Sequence, residues 1–448
     1  MNRIGDALHA HCSALFPICR SITGEGLRRT LRYVAERIPL QLREVPTGTR
    51  VLDWEIPREW NPRAAWIRTL SGETVVDFAQ HNLHLVQYSH AVPERTVPMG
   101  ELRPHLHSLP ERPHLIPYRT AYYADSWGFC LPHRVLEGMA DPAYRVFIDA
   151  ELGPGALTYG ECLLPGREEG EVLVSAHACH PSLANDNLSG LACALELARW
   201  LAGRPRRFTW RFLFAPGTIG ALAWLAANRD GAARRVRHGM VLSNLGDGAP
   251  LTWKRSRRED APIDRMVAHV LRHEAPDNRL LPFSPYGYDE RQYCSPGFDL
   301  PVGCLQRSVH GTFPEYHTSA DDLAFVRPEH LARSFAALCT IAEVVERDET
   351  LASTCPLGEP QLGRRGLYAA IGGIGPGGSA RGFGQMTLLW VLNLADGRHT
   401  LLDMAERAGQ PFAAVRAAAD AAMAVGLLVP AAAPDHLETN RSAIDTLG

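Results

Sequence analysis

The sequence predicts an α/β protein: a mostly parallel sheet with helices on its faces, a β-rich insertion ahead of it, and a small winged helix near the C-terminal end. Three observations carry this. Strand-like and helix-like blocks alternate over roughly residues 136–348, the pattern of a parallel sheet covered by crossover helices. Short alternating runs separated by turn residues occupy about 40–90, as in small antiparallel sheets. Residues 388–430 hold three helical patterns joined by short turns.

In chain order, 6–38 read as helical at each end. Leu27, Leu31, Val34, Ala35 and Ile38 fall at helical spacing after Gly26, and Pro39 stops the run. Runs such as LQLREV (40–45) and AWIR (65–68), with turns at Pro46-Thr47-Gly48 and Ser71-Gly72, give the insertion. VLVSA (172–176) is a buried-type strand ending at His177, and GLACALELARWL (190–201) is an amphipathic helix. FTWRFLF (208–214) is a strand, 219–228 a helix, and MVLSNL (240–245) another strand. The run GGIGPGG (372–378) reads as a linker or loop. Turns at Ala395-Asp396-Gly397 and Gly409-Gln410-Pro411 then divide three helices, and VGLLV (425–429) closes a wing. The expected division is a core of 1–40 and 130–350, an insertion of 41–129, and a winged helix of 380–448.

Composition excludes several function classes. The chain has 448 residues, 46% hydrophobic and 21% charged, with 46 basic and 49 acidic side chains. A charge so near balance gives no global attraction to nucleic acid or anionic lipid. The winged helix is also neutral: Arg398, Arg407 and Arg416 are matched by Asp396, Asp403, Glu406 and Asp420. A DNA reader should carry a basic recognition helix, so no nucleic-acid partner is expected, and docking or self-association through the winged helix or the insertion is. No run of about 18 apolar residues marks a membrane span, and the N-terminus lacks a secretory h-region; the expected location is cytoplasmic. The ten cysteines include no C-x-x-C pair and read as reduced, buried small residues.

The chemistry concentrates in HACHPSLANDNLSG (177–190). Two histidines and an aspartate within ten residues, just past a strand, are a donor set that suits zinc. In such sheets functional groups gather at the carboxyl ends of strands, and further ligands are expected there: Asp247 in NLGDG, which also suits a turn aspartate, and His317 in EYHTSAD, whose Thr318, Ser319 or Asp321 also suits a helix cap. The loop YDERQYCSPG (288–297) offers Glu290 as an acid or base and Arg291 as a substrate contact, with Tyr293 and Tyr316 as further candidate substrate contacts.

The string HACHPSLANDNLSG resembles the zinc motif of the co-catalytic zinc aminopeptidases. The resemblance implies His177 as a terminal ligand and Asp186, in its D-x-x-S-G turn, as a bridge between two ions, with Asp247 and His317 as later ligands. Nearly the whole chain resembles a bacterial family of aminopeptidase-like proteins labelled as polysaccharide-biosynthesis proteins. CRSITGEGLR (19–28), DWEIPREWN (53–61), NLHLVQYS (82–89), IPYRTAYYADSWGFCL (116–131) and DERQYCSPGFDLPVG (289–303) carry that likeness. It implies a zinc-peptidase-like core and a zinc cofactor of one or two ions. The implied activity is hydrolysis of a small peptide-like or amino-acyl amide in a biosynthetic pathway. One departure matters: Gly217 and Thr218 stand where those peptidases carry a Glu-Glu pair of base and ligand. A base adds on the order of 10²–10⁴ in rate, or roughly 3–5 kcal/mol of barrier. His180 could make up a missing ligand and Glu290 a missing base; otherwise the chain is a metal-binding relative that binds a ligand or scaffolds partners.

Overall fold

The computed structural model describes residues 2–368 and 382–431, in two compact units, Met1–Cys339 and Thr340–Gly448. The glycine-rich run 372–378 and the expected winged-helix residues beyond 431 lie outside the described residues.

In the first unit an eight-stranded sheet runs, in spatial order, Gln41–Pro46, Ala156–Leu164, Thr209–Ala215, Glu171–His177, Val236–Leu242, Val302–Gln306, Thr252–Lys254, Arg279–Leu281. Its four middle strands are parallel, and the strands flanking them join antiparallel. Every residue of Glu171–His177 is buried, as a central strand covered on both faces requires. The helix Gly190–Ala202 is apolar almost all round and buried for most of its length, and Ile219–Asn228 forms as its sequence predicts.

Buried charge also fixes the order of the strands. Arg211 donates to Glu161 on one neighbouring strand at 2.6 Å and to Glu171 on the other at 2.7 Å. Trp224 Nε1 donates to the same Glu161 oxygen at 2.7 Å. Each charge removed from water thus has a partner, which buried ions need.

The insertion is a four-stranded antiparallel sheet ordered Thr74–Asp77, Glu59–Arg68, Ala143–Gly153, Val92–Pro98. Its limits differ from those read in the sequence. Gln41–Pro46 lies at the edge of the central sheet, whereas Ala143–Gly153 pairs with Glu59–Arg68 along nearly its full length. Both segments alternate, and alternation shows that a strand exists but not which strand it joins. Pro62 is accommodated where the register slips between Pro62 and Ala64, the position a ladder tolerates proline. One apolar core runs from Trp60, Ile67 and Val146 of the insertion to Leu213, Trp224 and Val241 of the central sheet.

The second unit holds the helices Gln385–Leu394, Leu401–Ala408 and Phe412–Ala424 and a three-stranded sheet of Asp396–Thr400, Thr350–Ser353 and Leu428–Pro430. Thr400 caps its helix reciprocally with Asp403. This is the winged helix read in the sequence, with one strand contributed from before the glycine-rich run. Among the described residues no helix is long and apolar enough to cross a membrane.

Candidate metal centre

His177 is the last residue of the central strand Glu171–His177. The chain then turns through 178–183 into the irregular turn Ala184–Ser189 and the helix Gly190–Ala202. A Cβ at Gly190 would stand 2.3 Å from the carbonyl oxygen of Leu242, so only glycine lets this helix start pass so close to the neighbouring strand. Asp321 holds the turn from the far side: its carboxylate accepts from the backbone N–H of Asn185 at 2.6 Å and of Asp186 at 3.0 Å. Asp321 thus anchors the Asp186 turn rather than capping its own segment.

The Asp186 side chain lies at the centre of three imidazoles. His177 Nε2 is 2.7 Å and His180 Nδ1 3.4 Å from Asp186 Oδ1, and His317 Nε2 is 3.1 Å from Oδ2. The ligand atoms of His177, His180 and Asp186 all fall within 4.8 Å of one another, and all three residues are buried. Burial would raise the Asp186 carboxyl, yet His180, His177 and His317 hold it well below the usual carboxylate range. Burial pushes His177 down to about 3, outweighing the pull of Asp186, and lowers His317 as well. Both rings are therefore neutral at neutral pH, the form that ligates metals. His180 Nδ1 is buried without a hydrogen-bond partner, a costly state for a polar atom and one that a cation would relieve. The donors present thus fit a zinc ion.

His317 reaches this group from a strained backbone. Its φ is +53°, a region uncommon for residues other than glycine. A latch from the insertion holds it there. Tyr118 N–H donates to His317 O at 2.8 Å and Ser319 N–H to Ile116 O at 2.9 Å, while Ile116 N–H donates to Ser319 Oγ at 3.0 Å. The same segment supplies an aromatic wall. The Tyr118 ring stands edge-on to His180 and His317, with centroids at 5.2 and 4.9 Å. Tyr288 stacks on His177 at 3.5 Å and Tyr316 on His317 at 3.9 Å.

The sequence candidates therefore separate. His177, His180, Asp186 and His317 come together. Asp247 does not join them. Its carboxylate is taken by Asn185 Nδ2 at 2.7 Å and by the backbone N–H groups of Ala249 at 2.7 Å and Ser308 at 3.3 Å, so it braces the turn beside the cluster. Glu290 is wholly buried, ion-paired with Lys254, and accepts from the Tyr288 N–H; none of these bonds reaches the Asp186 group. Tyr293 is wholly buried too, with its hydroxyl 2.9 Å from Ser175 Oγ in the central strand. That is a core position, closed to a substrate. Arg291 is half-buried with Nε unpartnered, and its charge is felt by Tyr316. Tyr316 remains beside the cluster through its stack on His317.

Sequence reasoning missed three residues at the centre. His310 is buried, with Nε2 2.9 Å from Ser243 Oγ and its ring 5.4 Å from Tyr288. Its signal was weak: a lone histidine just past VGCLQ, in the same loop as Tyr316-His317. Tyr118 lies in a string marked only by its likeness to a family, and Tyr288 opens the 288–297 loop, whose candidates are Glu290, Arg291 and Tyr293. Beside Tyr288, Asp289 is buried with neither carboxylate oxygen hydrogen-bonded, and burial with the nearby Glu290 raises it well above the usual range.

Comparison with known proteins places this geometry in context. A winged helix-turn-helix family matches residues 349–430. A Clostridium acetobutylicum protein named for polysaccharide biosynthesis and an aminopeptidase-like domain is 42% identical over 424 residues, covering 95% of this chain and 96% of that protein. A crystal structure from the same organism, provisionally named a peptidase, superposes with a TM-score of 0.90 at 40% identity over 96% of this chain and 97% of that one. The zinc aminopeptidase of Bacillus subtilis shares the fold, with a TM-score of 0.56 at 12% identity, over 76% of this chain and 94% of that one. The family described as a domain of unknown function, DUF4910, matches residues 9–348, and the chain belongs to that aminopeptidase-like family.

Proposed function

We propose that the chain is a zinc-dependent, peptidase-like hydrolase that cleaves an amide in a small amino-acyl or peptide-like substrate. The observation that carries this is the gathering of the buried His177 and His180 imidazoles on the Asp186 carboxylate at the end of the central strand. His177, His180 and Asp186 would hold the ion, with His317 on the other Asp186 oxygen. When bound, zinc supplies a Lewis acid and an activated water at neutral pH. The chain's own residues do the rest. Tyr118, Tyr288 and Tyr316 keep bulk water from the imidazoles, and Arg291, with its unpartnered Nε, offers a cation to an anionic substrate group. Glu290 is committed to Lys254 and is not the base in this reading. The name of the 42% identical relative supports a role in assembling a polysaccharide precursor, and a cytoplasmic site of action accords with that role.

Metal content and amide turnover test the proposal together. Purified protein should carry zinc and release p-nitroaniline from amino-acyl p-nitroanilides, and chelation should abolish the release. Asp186→Ala should weaken zinc binding by at least about 100-fold, since even the loss of a residue behind a ligand costs 10–100-fold. Zinc occupancy unchanged in Asp186→Ala would refute the ligand assignment. Bound zinc with no turnover of any amide would favour a ligand-binding role.

A further inference from the structure

We propose that the centre is built for a single metal ion, because Tyr288 fills the space beside His177 and Asp247, Glu290 and His310 are each committed to partners of their own. This rests on the metal reading above and sharpens it. Asp186 presents two oxygens: Oδ1 faces His177 and His180, and Oδ2 faces His317. One ion finds three donors on the Oδ1 side. A second ion on the Oδ2 side would start from His317 alone and would need further ligands from its surroundings.

Asp289 is unpartnered but lies outside the group formed by His177, His180 and Asp186; three other donors are spoken for. Asp247 is saturated by Asn185, Ala249 and Ser308. Glu290 is held by Lys254, whose ammonium also donates to the carbonyls of Ser284 at 2.9 Å and Tyr286 at 2.7 Å. His310 Nε2 is engaged by Ser243. Thr218 offers no carboxylate, and position 217 offers no side chain and cannot be given one without moving Tyr288. A Cβ there would stand 2.0 Å from Tyr288 Cε1 and 2.6 Å from Cζ and Oη. The ring has little freedom to yield. It stacks on His177 at 3.5 Å and on His310 at 5.4 Å, and its hydroxyl lies 3.4 Å from Cys179 Sγ. Gly217 and Tyr288 are thus two halves of one substitution: glycine vacates the volume and the phenol ring occupies it.

Counting ions tests this apart from any activity. Wild-type protein equilibrated with micromolar zinc and gel-filtered should carry one zinc per chain. Two ions per chain would overturn the inference while leaving the metal reading intact; no zinc at all would overturn both. A steric cycle tests the cause. Gly217→Ala should lower Tm by about 2–8 °C, the range expected for overpacking a core in a unit of this size. In a Tyr288→Ala background the same substitution should cost nothing further. A Gly217→Ala protein as stable as wild type would show that the ring does not fill the space, and would overturn the inference.

Discussion

At the scale of single residues, His317 carries two demands that conflict. Its ring is needed on Asp186 Oδ2, while its φ of +53° suits glycine. The cost is borne because Tyr118 and Ser319 pin the backbone on both sides. Two truncations that both remove the ring should therefore differ. His317→Gly should be more stable than His317→Ala by about 1 kcal/mol, because alanine keeps the strained φ without the ring's contacts. Urea unfolding of the two chelated variants checks this; equal stabilities would mean the backbone relaxes. The same residue shows what was legible in the sequence. His177, His180 and Asp186 crowd one strand end, and His317 sits in a compact polar loop, so their residue types announced them. Asp247 looked equivalent by that criterion, yet its carboxylate turned inward to three N–H donors. The meaning of Gly217 was half legible: the missing carboxylate could be read, but the aromatic ring that replaced it comes from a loop 71 positions later and only the folded chain brings them together.

At the scale of elements, local pattern located most strands and helices and failed on partners. Ile219–Asn228 and Gly190–Ala202 follow from long, almost wholly apolar runs, which are a property of the segment itself. Whether Gln41–Pro46 or Ala143–Gly153 belongs to the central sheet depends on pairing at a distance, which alternation does not encode. Buried charge supplies part of that information. Glu161, Arg211 and Glu171 lie on three adjacent strands and satisfy one another with almost no exposure. Arg211→Met should cost about 3–5 kcal/mol, the penalty for stranding buried charge rather than the value of the pair. Glu171 keeps Arg235 at 2.7 Å while Glu161 keeps Arg43 only at 3.7 Å, so most of the penalty should fall on Glu161. Glu161→Gln introduced beside Arg211→Met should then recover part of the loss. Equilibrium unfolding of the full chain distinguishes the outcomes: additive losses would show that Arg211 acts by packing, not by charge.

At the scale of the whole molecule, the buried and part-buried histidines of the first unit set its response to acid. Burial lowers His177 to about 3, and His81, His238 and His269 to about 4 each. In the unfolded chain these rings take up protons near pH 6.5. Between about 6.5 and 4 the unfolded state therefore binds protons that the folded state refuses, and stability falls as pH falls. Asp289 and Asp321 act in the opposite sense. Burial raises both well above the usual carboxylate range, so above about pH 4 the folded state keeps protons that the unfolded chain has released. Four histidines outweigh two carboxylates across this window, and chelated protein should lose stability steadily from pH 7 to pH 5. His238 isolates the effect, since it lies away from the metal centre on Val236–Leu242 with Nδ1 buried and unpartnered against Phe208. His238→Phe should flatten the profile below pH 6 by about 1.4 kcal/mol per pH unit, the contribution of one proton. Unfolding free energies measured at half-unit steps across that range would show it. A variant whose slope matched the wild type would mean that His238 is protonated in the folded state and that its burial does not govern its charge.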